Sequence, residues 1–218
     1  MEVGNFLEKS LCLIILAAGQ SRRMGTIKQL LPWKDVTLLE NTLQVALQSA
    51  FSEIILVLGA NREVILPKIA PHLEDDRLTV AINDDWSSGL ASSLRVGLEM
   101  ARNISGETLQ AVGFLLADLP FVRSEDIDSV LNFYTRLPLG DKNLAIVVPY
   151  YGDKAGHPVI FSQCYFSEIE KLTGDRGANS ILKNNGKNIY RLSLDNWQAV
   201  CDCDNREEYA SYLARIER

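Results

Sequence analysis

Residues 11–28 are LCLIILAAGQSRRMGTIK, an apolar run that ends in small residues and is followed at once by cations. Its first part, 11–16, is short and almost wholly aliphatic, which predicts a strand buried on both faces of a parallel sheet. Ligands bind beyond the carboxyl ends of such strands. The sequence therefore predicts a ligand site directly after Leu16.

The residues that follow this strand have the chemistry of a polyphosphate site. Small side chains at 17–19 let a ligand approach the backbone and its N–H groups. Arg22, Arg23 and Lys28 can neutralise phosphate oxygens, and we expect Arg23 and Lys28 on an exposed loop. A solvated basic loop is the alternative.

Two common phosphate-binding motifs are excluded by their spacing. Five residues separate Gly19 from Gly25, and Thr26 stands where a P-loop has its lysine. A dinucleotide-binding fingerprint needs three glycines at G-x-G-x-x-G spacing, and this segment has only the two.

The rest of the chain alternates apolar runs with amphipathic segments. Runs at 53–59, 78–82, 111–116 and 144–148 predict strands, and segments at 37–50, 62–69, 91–101 and 124–136 predict helices. The first of these helices begins with the capping box Thr37-Leu38-Leu39-Glu40. The alternation predicts right-handed βαβ units in a mostly parallel, Rossmann-like α/β sheet with helices on both faces.

The pattern changes at Pro149. Glycine and proline are concentrated over 149–158, before an apolar run at 159–161, which predicts a hairpin or β-arm. Helices at 163–172, 178–184 and 206–215 and a strand at 189–194 are expected to follow. We predict one domain, 1–218, in two parts, 11–148 and 149–218, the second of which carries the inserted arm.

Composition excludes several classes of partner. The net charge of −6 argues against nucleic acid and against an anionic membrane surface, because both select a basic face. No apolar run approaches the roughly 18 residues of a membrane span. Residues 1–10 include acidic side chains and no signal-peptide core, so we expect a cytoplasmic protein.

Asp118 is the leading candidate for a metal ligand. It follows the apolar run at 111–116, and Pro120 restricts the chain just beyond it. Mg²⁺ is usually held by one or two carboxylates together with substrate phosphates and water. An aspartate that merely precedes a helix is the alternative.

The start of the helix at 91–101 supplies further candidates. Gly89 and Ser93 lie where unpaired N–H groups and hydroxyls can bind a ligand. Plain helix capping is the alternative, and both roles can hold together.

Five motifs occur in a fixed order along nearly the whole chain. They are LAAGQSRRMGTIKQLLP at 16–32, NDDWSSGLASSLR at 83–95, DLP at 118–120, GHPVIF at 156–161 and GDRGA at 174–178. In order and spacing the chain resembles the GT-A-type nucleotidyltransferases of the MobA-like family, above all their molybdenum-cofactor cytidylyltransferase branch. The resemblance implies Mg²⁺-dependent transfer of CMP from CTP to the phosphate of molybdopterin, with release of pyrophosphate.

The resemblance also implies roles for individual residues. It implies nucleotide contacts from Leu16, Ala17, Ala18, Gly19, Arg22, Arg23, Lys28, Gly89, Ser93 and Asp118, with Arg23, Lys28 and Asp118 as catalytic residues. It implies a nucleotide-binding half over 11–148 and an acceptor-binding half over 149–218, in which the inserted arm belongs to an acceptor lobe. The implied acceptor contacts come from His157, Pro158, Gly174, Asp175, Arg176 and Gly177. The Leu-Ala-Ala-Gly form of the first motif favours CTP over GTP. An imidazole that stabilises a turn is the alternative for His157.

The second metal ligand is expected in Asp202-Cys203-Asp204. The family usually has D-x-D-T-P-E-D there, whereas residues 202–208 are DCDNREE. Asp202 is the preferred ligand and Asp204 its substitute, and we expect Asp204 or Asn205 to cap the last helix.

A phosphate acceptor would need no general base. The second pKa of a phosphate monoester is about 6, so its oxygen is ionised near pH 7. Transfer to another acceptor such as a sugar phosphate, use of GTP, and a noncatalytic accessory protein of molybdenum-cofactor metabolism remain open. A molybdoenzyme client would be a further partner.

Overall fold

The computed structural model describes residues 10–21, 24–175 and 177–216. Arg22, Arg23 and Arg176, three cations with predicted ligand contacts, lie outside the described residues. Their roles stay predictions.

Eight of the ten strands in the described part of the chain form one sheet. The strands are β1 (Ser10–Leu16), β2 (Pro32–Trp33), β3 (Val36–Thr37), β4 (Glu53–Leu58), β5 (Leu78–Ile82), β6 (Leu109–Leu116), β7 (Ile146–Tyr151), β8 (Lys154–Ala155), β9 (Val159–Ser162) and β10 (Ile189–Ser193). The sheet has the order β10-β7-β9-β6-β1-β4-β5, with β8 attached to β7. β2 and β3 form a separate antiparallel pair that the sequence analysis did not predict.

Most pairings in this sheet are parallel. β1 is parallel to β4 and β6, β4 to β5, and β10 to β7, whereas β9 is antiparallel to both β6 and β7. The predicted α/β fold with a mostly parallel sheet is confirmed. The predicted hairpin is present as β7 and β8, and β7 crosses the boundary proposed at residue 148.

The helices follow the predicted alternation. They are α1 (Leu38–Leu47), α2 (Arg62–Ile69), α3 (Leu90–Ser105), α4 (Ser124–Arg136), α5 (Leu139–Lys142), α6 (Phe166–Glu170), α7 (Asn179–Asn184) and α8 (Arg206–Ile216). The capping box is present at the start of α1, where the Glu40 N–H donates to Thr37 Oγ1 and the Thr37 N–H to the Glu40 carboxylate. Among the described residues, no helix is both long and apolar enough to cross a membrane.

β1 is buried on both faces, as its sequence predicts. Leu13 and Ile15 pack into an apolar cluster on one face of the sheet, and Ile14 and Leu16 into a cluster on the other. In the register of the sheet, Leu16 pairs with Val57 of β4 and with Leu116 of β6. The segments that follow β1, β4 and β6 therefore leave the sheet side by side at one edge.

Candidate functional site

A cleft of about 550 Å³ opens at this carboxyl edge of the sheet. Every described residue of the predicted nucleotide set lines it: Leu16, Ala17, Ala18, Gly19, Lys28, Gly89, Ser93 and Asp118. The cleft thus joins three stretches that are far apart in the sequence, namely the turn after β1, the residues after β6 and the start of α3.

The turn after β1 is fixed through its backbone. The Ala17 N–H donates to Val57 O and the Ala60 N–H to Ala18 O, both at 3.0 Å. The buried amide of Gln29 donates to Ala17 O and Gly19 O, both at 2.9 Å. Sequence reasoning missed Gln29, because nothing in the pattern around Lys28 distinguishes it from an exposed glutamine.

Lys28 is buried between two carboxylates. Its Nζ lies 2.7 Å from Asp118 Oδ2 and 3.2 Å from Asp204 Oδ1, and 11% of its side chain is exposed. Burial by itself would lower the pKa of Lys28, but the charges and hydrogen bonds of the two carboxylates outweigh it and raise this pKa. The expectation that Lys28 lies on an exposed loop is wrong, because residues 28–30 form a 3-10 turn in which Lys28 and Gln29 are buried.

The two carboxylate oxygens of Asp118 have different surroundings. Oδ2 accepts from Lys28, whereas Oδ1 is buried and has no hydrogen-bond partner within the described ranges. A buried acceptor without a partner is unfavourable unless a cation or donor approaches it. The backbone of Asp118 also anchors the C-terminal segment, since the Cys203 N–H donates to Asp118 O at 3.1 Å.

The two aspartates beside Cys203 occupy different environments. Asp204 lines the cleft and pairs with Lys28, whereas Asp202 is exposed and stands outside the cleft lining. Partial burial and then the negative charges of Asp204 and Asp118 raise the pKa of Asp202. The predicted cap of the last helix is Asn205, whose Oδ1 accepts from the Glu208 N–H at 2.9 Å.

The carboxylates do not form a complete metal cage. The described residues contain no group of three or more His, Cys, Asp or Glu side chains that could hold a metal ion. A metal at Asp118 would therefore need ligand phosphates or water to complete its coordination, which is how proteins commonly hold Mg²⁺.

The segment around 174 packs against the start of α3. The Ala91 N–H donates to Gly174 O at 3.0 Å, and the Leu90 N–H donates to Asp175 Oδ1 at 3.3 Å. Asp175 also lines the cleft. Two residues predicted to bind the acceptor therefore contact the start of α3, and one of them lines the same cleft as the predicted nucleotide residues.

Gly89 and Gly177 show how close this packing is. Gly89 has a φ of 106°, and an added Cβ there would lie 2.6 Å from Asp175 Oδ1 and from the carbonyl carbon of Gly174. A Cβ on Gly177 would lie 3.0 Å from Leu90 Cδ2.

His157 is held by the backbone of β6. Its Nδ1 donates to Phe114 O at 3.0 Å, and the ring is partly buried. Burial lowers the pKa of His157, against the opposing effects of the Phe114 hydrogen bond and the Asp118 charge. His157 and the buried Pro158 are not part of the cleft lining. The hydrogen bond to Phe114 O is the kind of contact expected if His157 stabilises a turn, the alternative to acceptor binding.

Comparisons with known proteins show which family the chain resembles over most of its length. Residues 13–189 match the MobA-like NTP transferase domain. The molybdenum cofactor cytidylyltransferase of Escherichia coli is 25% identical over 93% of this chain and 95% of its own. Nicotine blue oxidoreductase of Paenarthrobacter nicotinovorans is 39% identical over 78% of this chain and 80% of its own.

A solved structure resembles the chain as well. It is that of a Mycobacterium tuberculosis protein in complex with manganese, which is 28% identical, covers 95% of this chain and 99% of its own, and superposes with a TM-score of 0.73. The cleft, its lysine and carboxylates, and the family match over most of the chain lead to one conclusion: this chain belongs to the MobA-like NTP transferase family and is a nucleotidyltransferase.

Proposed function

We propose that this nucleotidyltransferase transfers CMP from CTP to the phosphate of a molybdopterin-type acceptor and releases pyrophosphate. The observation that carries the proposal is the Lys28 ammonium held by Asp118 and Asp204 in a cleft beside the turn at 17–19. The choice of acceptor is supported by the identity with the E. coli molybdenum cofactor cytidylyltransferase over most of both chains.

The triphosphate would lie against the turn after β1. This turn has small side chains, and an added Cβ on Gly19 would meet nothing within 4 Å, so a ligand can approach the backbone there. Lys28 supplies a cation at the base of the cleft, and Arg22 and Arg23 are proposed to extend this positive charge along the phosphates. The nucleoside would then extend toward Gly89 and Ser93.

The residues at the cleft fit a divalent cation. Oδ1 of Asp118, which has no hydrogen-bond partner among the described residues, is a buried oxygen acceptor of the kind that Mg²⁺ prefers. Asp204 brings a second carboxylate to the same lysine. We propose Asp118 and Asp204 as the ligands, with Asp202 as an outer charge, since Asp202 is exposed. When bound, the ion would supply positive charge that neutralises the triphosphate. The manganese complex of the M. tuberculosis protein supports a divalent ion.

The reaction would be a direct displacement at phosphorus. An ionised oxygen of the acceptor phosphate attacks the α-phosphorus, the bond to the bridging oxygen breaks, and its electron pair leaves with pyrophosphate. Lys28 neutralises charge that develops on the phosphates, and no side chain has to remove a proton.

Pyrophosphate release tests this proposal. The full chain is incubated with Mg²⁺, purified molybdopterin and each of the four nucleoside triphosphates, and the product is identified by mass spectrometry. We expect release with CTP and a product heavier than the acceptor by one CMP. Release with CTP only when a sugar phosphate replaces molybdopterin would keep the chemistry and change the acceptor, and faster release with GTP would overturn the choice of CTP.

Oxidoreduction is a second candidate, favoured by the 39% identity with nicotine blue oxidoreductase. It is tested by incubating the chain with nicotine blue and a hydride donor, NADH or NADPH, and following the absorbance of the dye. Dye reduction without any pyrophosphate release would favour this candidate. Neither activity, with retained binding of CTP or molybdopterin, would favour the accessory protein.

A further inference from the structure

Asn83 connects the end of β5 to the start of α3, and both polar atoms of its side chain form hydrogen bonds. It is 1% exposed, and its backbone N–H donates to Leu58 O at 2.7 Å. Its amide nitrogen donates to Ser92 Oγ at 2.8 Å and to Ser93 Oγ at 3.0 Å. Its Oδ1 accepts from the Asp85 N–H at 3.0 Å.

These contacts fix the direction of every hydrogen bond in the group. A backbone N–H can only donate, so the atom of Asn83 that faces Asp85 must be the amide oxygen. Both amide hydrogens are then directed at the two serine hydroxyls. A hydroxyl that accepts such a bond has to place its own proton elsewhere.

The two hydroxyl protons have different destinations. Ser92 donates to Gly89 O at 2.8 Å, within the first turn of α3. Ser93 donates to none of the residues that the structure describes, and it lines the cleft. The network therefore leaves the Ser93 hydroxyl as a donor toward whatever occupies the cleft.

We propose that Asn83 is a positioning residue for base selection, which holds Ser93 as a hydrogen-bond donor toward the nucleotide base. This rests on the proposed function, in which the nucleoside extends toward Ser93. A donor at this point selects a base that presents an acceptor there, such as the O2 or N3 atom of cytosine. It disfavours the N1–H and amino group of guanine, since two donors cannot pair.

The proposal is tested by reversing the polarity of the network with Asn83→Asp. A carboxylate still accepts from the Asp85 N–H, but its other oxygen can only accept, so Ser92 and Ser93 must donate to it and Ser93 turns a lone pair to the cleft. Dissociation constants of CTP and GTP are measured by calorimetry with the full chain and Mg²⁺, without acceptor. The added negative charge weakens the binding of both triphosphates alike. The readout is therefore the ratio of the two dissociation constants.

We expect the preference for CTP over GTP to fall by roughly tenfold or more in Asn83→Asp, on the scale of one lost hydrogen bond to a buried partner. Ser93→Ala, which removes the donor without adding charge, should lower the same ratio, and Ser93→Thr should restore it. Ser92→Ala is the matched control, because it removes the other hydroxyl that Asn83 binds and should leave the ratio within about twofold.

The outcomes separate the inference from the function on which it rests. Should the wild-type chain bind CTP preferentially and keep the same ratio in both Asn83→Asp and Ser93→Ala, the role of Asn83 is overturned and the transferase proposal stands. If Asn83→Asp does not fold, the ratio in Ser93→Ala and its recovery in Ser93→Thr decide the matter. Failure of the wild-type chain to bind any nucleoside triphosphate would overturn both proposals.

Discussion

The parallel part of the sheet and the C-terminal part of the chain build the cleft in different ways. After β1 and β6, the residues that line the cleft follow directly from strands that end at the same edge. The C-terminal residues instead reach it through contacts with segments distant in the sequence: Asp175 binds the start of α3, and Asp204 binds Lys28. The C-terminal part thus contributes two carboxylates to the same cleft as the residues that follow β1 and β6.

His157 shows the other side of this difference. It precedes β9, whose antiparallel pairing with β6 aligns Val159 with Phe114, so His157 does reach this end of the sheet. Its Nδ1–H is nevertheless used by Phe114 O. Position at the right edge is therefore not enough to identify a ligand-binding side chain, because a backbone carbonyl can already be its partner.

The largest effect is expected for Asp118→Asn. This change keeps the size of the side chain and removes the charge that a divalent ion needs, so pyrophosphate release should fall by about a hundredfold or more, mainly in kcat. The measurement is pyrophosphate release over a Mg²⁺ titration.

Asp204→Asn should also lower kcat, whereas Asp202→Asn, at an exposed position outside the cleft, should change kcat less than about threefold. A larger loss for Asp202→Asn than for Asp204→Asn would reverse the assignment of the second ligand.

Gly89→Ala tests the contact between the two parts. The residue has a left-handed φ, and the new Cβ would meet Gly174 and Asp175 at 2.6 Å. We expect the free energy of unfolding to fall by about 2 kcal/mol in a urea titration. Gly106→Ala is the matched control, since Gly106 also has a positive φ, 54°, but an added Cβ there meets nothing within 4 Å. This variant should lower the free energy of unfolding by about 1 kcal/mol. Equal losses of stability in the two variants would mean that the segment around 174 does not pack closely against the start of α3.

Lys28→Met tests whether the buried cation stabilises the fold. It keeps the apolar stem and leaves Asp118 and Asp204 facing each other, so we expect a loss of about 1–2 kcal/mol at pH 8 without divalent ions. The pKa of Lys28 in the folded protein is raised above 10.5. The contribution of the Lys28 charge to the free energy of unfolding should therefore be complete below pH 10.5 and disappear as the pH rises through the pKa of the folded state. Urea unfolding of wild type and variant from pH 8 to 11 measures both effects. Lys171→Met, at an exposed lysine, is the control. A constant difference between wild type and Lys28→Met over this range would contradict the ion pair.

His157→Asn is expected to have the smallest effect. The asparagine amide can still donate to Phe114 O, so the loss of stability at pH 8 should be within about 1 kcal/mol. The pKa of His157 is lowered below 6.5, so the unfolded chain takes up the proton first. Wild-type stability should therefore decrease as the pH falls below about 6.5, and this part of the decrease should be absent in the variant. If the KM for the acceptor increases by more than about tenfold in this variant, His157 contributes to acceptor binding as the sequence analysis predicted.

Local pattern was sufficient for most of the fold. The helices at 62–69 and 124–136 and the strand at 78–82 have the predicted bounds, because hydrophobic period and capping residues act over one or two turns. The terminal helix continues to Ile216, close to the predicted end. The sheet edge where the cleft opens also followed from the sequence, since parallel strands place their carboxyl ends together.

The chemistry of the cleft needed the tertiary structure. Lys28 meets Asp118 and Asp204 across 90 and 176 residues of sequence, and the amide of Asn83 is oriented by the backbone at Asp85. By itself the sequence determined which residue types reach this edge, because hydrophobic period shows where each strand ends and the alternation of strands with helices predicts a mostly parallel sheet. Only the tertiary structure decided which partner each polar group has, because burial and hydrogen-bond direction depend on segments that meet after folding.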